Sequence, residues 1–266
     1  MTFPMATTLG LLAGTVSTAA RAQEAAPRPQ PFEIADNSFF IEEAFNQEPG
    51  VVQNIFGFVR SDAGDWEFAF TQEWPLGTQR HQLSYTVPLT GGDGAAGLGH
   101  VFLHYRLQVS METRTRPAFS PRLSLILPTG DGPAGFGDPR VGVQANFPFS
   151  KQWADVYLHW NAGITYHPHE NADAWAPSLG TSVNWRVRPM LHLMVESVAL
   201  FERFKVAGIE SRETSAFIAP GVRGGWNLGD HQLIIGGAVA IGLTDETDDT
   251  ALFGYLSYEL PFRRAP

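Results

Sequence analysis

The chain has 266 residues, no cysteine and a net charge of −9. The absence of cysteine excludes a disulfide framework and thiolate metal sites, and the negative charge argues against a nucleic-acid partner, which would need a basic surface. A mean hydropathy of −0.10 is too low for a bundle of membrane-spanning helices. Charged residues are nevertheless only 17% of the chain, which suits a membrane β-barrel whose apolar and polar side chains alternate.

The first 22 residues have the features of an export signal. Residues 9–16 form a small apolar core, and Ala20-Arg21-Ala22 matches an A-x-A cleavage pattern before Gln23, although no Lys or Arg precedes the core. We therefore predict a signal peptide over residues 1–22, with a disordered N-terminus as the alternative.

Residues 23–50 predict an N-terminal linker that leads into a plug segment. Residues 24–31 are rich in Pro and Ala and are expected to be disordered or extended. The apolar residues that follow lie at helix-compatible spacing, which leaves two alternatives: a short helix or plug, or an irregular periplasmic linker. The residues predicted to form the plug or gate are Phe39, Phe40, Glu42, Glu43 and Phe45.

Residues 101–111 show the pattern that the rest of the chain repeats. Leu103 and Tyr105 alternate with His104 and Arg106, as on a strand with one apolar and one polar face. An even number of such segments closes an antiparallel barrel with both termini on one side. Twelve strands are predicted, over residues 51–60, 66–76, 79–89, 100–112, 119–129, 139–149, 154–167, 176–188, 190–202, 213–228, 231–244 and 250–262.

The connections and the aromatic residues predict how this barrel is oriented. The connections after odd-numbered strands are mostly longer and rich in Gly or Asp, whereas those after even-numbered strands are short. Outer-membrane barrels have long extracellular loops and short periplasmic turns, with aromatic girdles at both interfaces. Both termini are therefore expected in the periplasm, and the outward aromatic girdle at that end is predicted to comprise Trp74, Phe149, Trp185, Trp226 and Phe262.

Charged side chains on these strands are expected to face the lumen, because an Arg that faces lipid at mid-depth costs about 2–4 kcal/mol. One interpretation is a polar conduit whose charges select solutes. The other is a set of ion pairs that fills and rigidifies the barrel. The predicted lumen residues are Glu67, Glu73, Arg80, His104, Arg106, Arg122, Arg140, His159, Arg186, Glu196 and Arg223.

The sequence carries no recognisable catalytic motif. His104, His159 and His192 are predicted to point inward, but there is no G-x-S-x-G and no clear pairing of a Ser with any of them. We predict no catalytic residues, no cofactor and no enzyme. The His-Pro-His-Glu run at 167–170 and the acidic run at 245–249 are weak candidates for metal binding and for Ca²⁺ with lipopolysaccharide, but solvated loops are the expected interpretation.

Residues 42–53, EEAFNQEPGVVQ, followed by these strands resemble the outer-membrane transporters named for the MetA pathway of phenol degradation. The run GFGDPRVG at 135–142 is similar to that family's Gly-x-Gly-Asp turn. The resemblance covers about residues 34–262 and implies an outer-membrane barrel that passes small, often hydrophobic, compounds. One departure is the C-terminus, where residues 263–266 follow the aromatic residue on which such barrels usually end.

The sequence as a whole predicts an all-β, closed, 12-stranded antiparallel barrel in the bacterial outer membrane, with a short N-terminal plug or periplasmic segment. The barrel domain is predicted over residues 51–262 and a short tail over 263–266. The expected function is passive transport of small molecules, and the expected partners are outer-membrane lipid, lipopolysaccharide and small-molecule solutes. A structural or adhesion barrel with a filled lumen and a barrel hydrolase are the alternatives.

Overall fold

A computed structural model describes residues 34, 38–92, 94–130, 140–168, 174–206, 209–247 and 250–262. Its regular structure is β apart from a 3-10 turn at Asp245–Thr247. Among the described residues, no helix has the length and apolar character to cross a membrane. The strands are β1 Val51–Ser61, β2 Trp66–Leu76, β3 Thr78–Gly92, β4 Ala95–Leu98, β5 Phe102–Leu107, β6 Ala118–Phe119, β7 Arg122–Ile126, β8 Gly142–Trp153, β9 Val156–His167, β10 Ala174–Arg188, β11 Leu191–Val206, β12 Ile209–Leu228, β13 His231–Gly242 and β14 Thr250–Pro261.

These fourteen segments form one antiparallel sheet that closes on itself. The last strand pairs with the first, from Val51 opposite Pro261 to Ser61 opposite Ala251. Segments β4 and β5 both pair with β3, and β6 and β7 both pair with β8, so each couple forms one interrupted barrel strand. Pro121 lies at one interruption, where proline has no N–H for the ladder. The predicted closed 12-stranded barrel is confirmed.

Burial alternates along the strands and separates an apolar outer surface from a largely polar inner one. In β7, Leu123 is 57% exposed, whereas its neighbours Arg122 and Ser124 are buried. This is the reverse of a soluble domain, in which apolar side chains fill the interior. A closed barrel with such an outer surface leaves no unpaired strand edge facing lipid.

Short turns lie at one end of the barrel, which is also the end where β1 begins and β14 ends. Residue 77 and residues 154–155, 189–190 and 229–230 make four of the connections there. Gly77 and Gly229 have φ values of 74° and 70°, a region that glycine enters without strain. The assignment of this end to the periplasm stays a prediction.

Residues 38–47, which we call the plug, lie inside the barrel and are all buried. The plug is not helical, so the short helix, one of the two alternatives left open by its apolar spacing, is wrong. A helix would pair its main-chain groups with one another, whereas wall side chains take up most of these groups here. The plug contributes no strand to the sheet.

Candidate functional site

The main chain of the plug is held at its N-terminal end by one wall carboxylate. Glu196 of β11 accepts hydrogen bonds from the amides of Phe39, Phe40 and Ile41, at 3.0, 3.3 and 3.2 Å. Buried main-chain N–H groups are costly unless they find an acceptor. This carboxylate therefore acts as a docking point for three successive peptide units.

Two wall amides hold the rest of the plug by binding both a donor and an acceptor. The side chain of Asn161 accepts from the amide of Glu42 at 2.8 Å and donates to its carbonyl at 2.9 Å. Gln108 accepts from the amide of Asn46 at 2.9 Å and donates to the carbonyl of Ala44 at 2.8 Å. Buried main-chain groups are costly unless paired, and these contacts satisfy four of them although the plug forms no strand.

The carboxylate of Glu42 lies against two arginines of the wall. Its Oε1 is 2.7 Å from Nη2 of Arg122, and its Oε2 is 3.9 Å from Nη2 of Arg106. All three side chains are almost completely buried. Because a buried charge is costly without a partner, this contact favours one position of the plug.

The carboxylate of Glu43 points toward a different part of the wall. Its Oε1 is 3.4 Å from Nε2 of His159 and 3.7 Å from Nη2 of Arg223. The carbonyl of the same residue accepts a hydrogen bond from Arg106. The two adjacent carboxylates of the plug therefore reach cations on opposite sides of the interior, β7 and β12.

The aromatic residues of the plug pack on an apolar part of the inner surface. The ring of Phe39 lies 5.2 Å from that of Phe253 and 5.3 Å from that of Tyr255. The ring of Phe40 lies 5.0 Å from Phe217 and 4.7 Å from Phe253. The part of the interior that faces these two rings, along β12 to β14, is therefore apolar, although Arg223 of β12 also points inward.

Two serines lie within hydrogen-bond reach of buried histidines, a pairing that the sequence analysis did not find. Oγ of Ser150 is 2.8 Å from Nδ1 of His159, and Oγ of Ser124 is 2.8 Å from Nδ1 of His104. Each Ser stands directly opposite its His on the neighbouring strand. A correct register for the predicted strands would have placed each Ser opposite its His and so revealed these pairs.

The first of these pairs extends to a carboxylate. His159 lies between Ser150 and Glu43, but it turns Nδ1 to the serine and Nε2 to the carboxylate, the reverse of a serine hydrolase triad. The amide of Ala44 also donates to Oγ of Ser150 at 2.7 Å, and both Ser150 and His159 are 1% exposed. Since Glu43 belongs to the plug that covers Ser150, the plug both completes the arrangement and closes it to a substrate.

The remaining predicted lumen residues lie at several depths. Glu67 and Glu73 of β2 are buried on the inner face. Arg80 is exposed at the short-turn end, and Arg140 is half-buried just before β8. Arg186 pairs with Asp155 at 2.8 Å at the same short-turn end.

The predicted girdle residues lie on the outer surface near the short-turn end. The rings of Trp74 on β2 and Phe262 just after β14 are 5.8 Å apart, although β1 lies between these two strands. Phe149 is half-buried and stacks between other outward rings. Trp153, which the sequence analysis missed, is 54% exposed at the β8–β9 turn. The other exposed members are Trp185 and Trp226.

Several predicted features lie outside the described residues. These are residues 1–33, most of the turn at 135–142, His169 and Glu170, Asp248 and Asp249, and the tail at 263–266. Within the described part of the chain, no three His, Asp or Glu side chains are placed to hold a metal ion.

No protein-family model and no curated protein matches the chain. Among solved structures, the COG4313 outer membrane channel from Pseudomonas putida F1 is similar with a TM-score of 0.62 and 12% identity, over 88% of this chain and 99% of that one. The chain has the fold of an outer-membrane β-barrel. Its apolar outer surface and this likeness agree with the bacterial outer membrane as its location.

Weaker likenesses extend to other kinds of outer-membrane protein. LpxR from Salmonella typhimurium aligns with a TM-score of 0.45 and 10% identity, over 77% of this chain and 99% of that one. OmpT of Vibrio cholerae, in its trimer form, aligns with a TM-score of 0.42 and 8% identity, over 79% and 98%. The prediction that the chain is not an enzyme is wrong as an exclusion, because it relied on the absence of a Ser–His pairing, and Ser150 lies 2.8 Å from His159.

Proposed function

We propose that the chain is a passive channel for small molecules in the bacterial outer membrane, closed in this structure by its own plug. We also propose that the chain is similar in function to transporters of the MetA type, whose solutes are small and often hydrophobic. It is supported by the similarity to an outer membrane channel and by the apolar strip along the inner surface.

The observation that carries this proposal is how the plug is held. Residues 38–47 are buried, yet they form no strand of the closed sheet and make only a single-residue β-bridge at Ala44. Side-chain hydrogen bonds and ion pairs attach them to the wall. The plug can therefore leave the interior without opening any strand pair, whereas a strand of the sheet cannot.

A disulfide lock tests whether the plug must move. Oγ of Ser38 in the plug is 2.8 Å from Oγ of Ser182 in β10, and the chain contains no other cysteine that could interfere. The variant Ser38→Cys/Ser182→Cys should conduct in planar bilayers when reduced and lose that conductance when oxidised. The matched control is Ser182→Cys alone, which should not respond to the redox change.

Equal conductance of the locked and reduced forms would contradict a mobile plug. Deleting residues 33–50 is the complementary change and should raise the conductance, provided that the barrel still migrates as a folded species on unheated gels. An unchanged conductance after this deletion would remove the gating role.

A structural barrel with a filled lumen is the second candidate. It is favoured by the burial of every plug residue from 38 to 47. This candidate expects no conductance from the reduced cysteine variant, from the deletion variant or from the wild type. The same three measurements therefore distinguish the two functions.

A further inference from the structure

We infer that the lumen contains a binding site for an aromatic carboxylate, which the plug occupies with its own ring and carboxylate. This inference rests on the proposed channel function and names the class of solute that the channel would take. It is carried by a flat recess in the wall, by a guanidinium beside the recess, and by the two plug groups that fill these positions.

The recess is made by two glycines on neighbouring strands. A Cβ atom at Gly236 would lie 2.5 Å from Cζ of Phe39, and one at Gly221 would lie 2.9 Å from Cε2 of the same ring. Phe253 and Tyr255 border the ring, with centroids 5.2 and 5.3 Å away. Only a wall without side chains at these two positions admits the ring, so the recess suits a flat aromatic group.

Arg223 borders this recess, with its Cβ atom 2.9 Å from the position that a Cβ atom at Gly236 would take. Arg223 is opposite Gly236 in the register of β12 and β13, and its side chain is 2% exposed. Its Nε donates to Nδ1 of His192 at 3.3 Å, which orients the guanidinium. The carboxylate of Glu43 lies 3.7 Å from its Nη2. A guanidinium in such a place recognises a carboxylate through paired N–H groups.

The plug thus brings a phenyl ring and a carboxylate to one side of the lumen from residues 39 and 43. A free molecule that carries both groups would compete with the plug for the same positions. Its apparent affinity equals its affinity for the vacant site multiplied by the fraction of time that the plug leaves the two positions free. Vacating the two positions should therefore strengthen binding of such a molecule.

The test measures binding of 3-phenylpropionate to the full-length protein in detergent micelles by calorimetry, with titrations into empty micelles subtracted. The variant Phe39→Ala/Glu43→Gln should bind it roughly tenfold or more tightly than the wild type. The neutral 3-phenyl-1-propanol and the non-planar 3-cyclohexylpropionate should not show this gain. Adding Arg223→Gln should abolish it.

Equal gains for the alcohol, or a gain that survives Arg223→Gln, would overturn the carboxylate site. Equal gains for the cyclohexyl acid would overturn recognition of a flat ring. If the double variant is not a folded, heat-modifiable barrel, the single variants Phe39→Ala and Glu43→Gln repeat the measurement, and no gain in either would also overturn the site.

Binding in micelles does not depend on conduction, so the two proposals fail separately. A barrel that conducts but does not bind 3-phenylpropionate after the plug groups are removed contradicts the aromatic carboxylate site alone. A barrel that binds it but never conducts contradicts the channel.

Discussion

Glu42 of the plug and Arg122 of the wall form an ion pair of 2.7 Å in which both side chains are completely buried. Their positions are 80 residues apart in the chain, and no local interaction brings them together. A buried pair adds little net stability over an apolar pair of the same shape, but removing one partner leaves a charge without compensation. The pair therefore contributes mainly to the position of the plug and adds little to the net stability of the fold.

The variant Glu42→Gln should release the plug from β7. Removing one partner of a buried ion pair costs about 3–5 kcal/mol, and leaving the interior lets water solvate Arg122 instead. We expect higher conductance and new chymotrypsin cleavage at the plug phenylalanines. The variant Glu42→Gln/Arg122→Gln should partly restore closure, and Glu48→Gln, just beyond the plug, should change neither property. Unchanged cleavage of the first variant would contradict this account.

The fit of Ile41 against the wall gives a second way to displace the plug. A Cβ atom at Gly180 would overlap Cδ1 of Ile41, so Gly180→Val should push the plug away from β10 and raise the conductance. Overpacking of this kind costs about 1–3 kcal/mol. Shortening the opposing side chain, in Gly180→Val/Ile41→Ala, should bring the conductance back toward the wild-type value. A conductance that rises without rescue would point to damage in the barrel wall.

The wall could be predicted from the sequence because its pattern is local. Period-two alternation places Arg106 and Arg122 inward without knowledge of any partner, and a sheet that spans lipid must close because no strand edge can stay unpaired there. A plug segment was predicted, but its conformation could not be predicted in this way. Its apolar spacing left a short helix and an irregular segment as alternatives, and its actual conformation depends on Glu196 and Asn161, which lie far away in the chain.

The Ser–His pairs lie between the wall and the plug in how far the sequence could predict them. Ser150 and His159 are opposite each other in the β8–β9 hairpin, so a correct strand register would have found them. The predicted strand boundaries ended one residue before Ser150 and were too coarse to fix that register. The contact of His159 with Glu43 of the plug could not be predicted from the sequence, because it depends on the path of a segment that forms no strand.

The variant Ser150→Ala should loosen the plug and also tests whether the Ser150–His159 pair is catalytic. It removes the acceptor for the amide of Ala44 and the partner of Nδ1 of His159, and an unsatisfied buried polar group costs about 1–3 kcal/mol. We expect a lower thermal midpoint and faster proteolysis of the plug, with Ser110→Ala on the same barrel as the control. Ester hydrolysis by the wild type that disappears in Ser150→Ala would give the pair a catalytic role.

The outer surface gives the sharpest test of the membrane barrel, because neighbouring positions should respond in opposite ways. Arg122 is buried inside, whereas Leu123 is 57% exposed outside and lies in the middle of its barrel strand. An Arg on the lipid side near mid-depth costs about 2–4 kcal/mol. We expect Leu123→Arg to lower the yield of heat-modifiable barrel in lipid vesicles, and Leu123→Phe to leave it unchanged. Equal yields for both variants would contradict a lipid-facing position for residue 123.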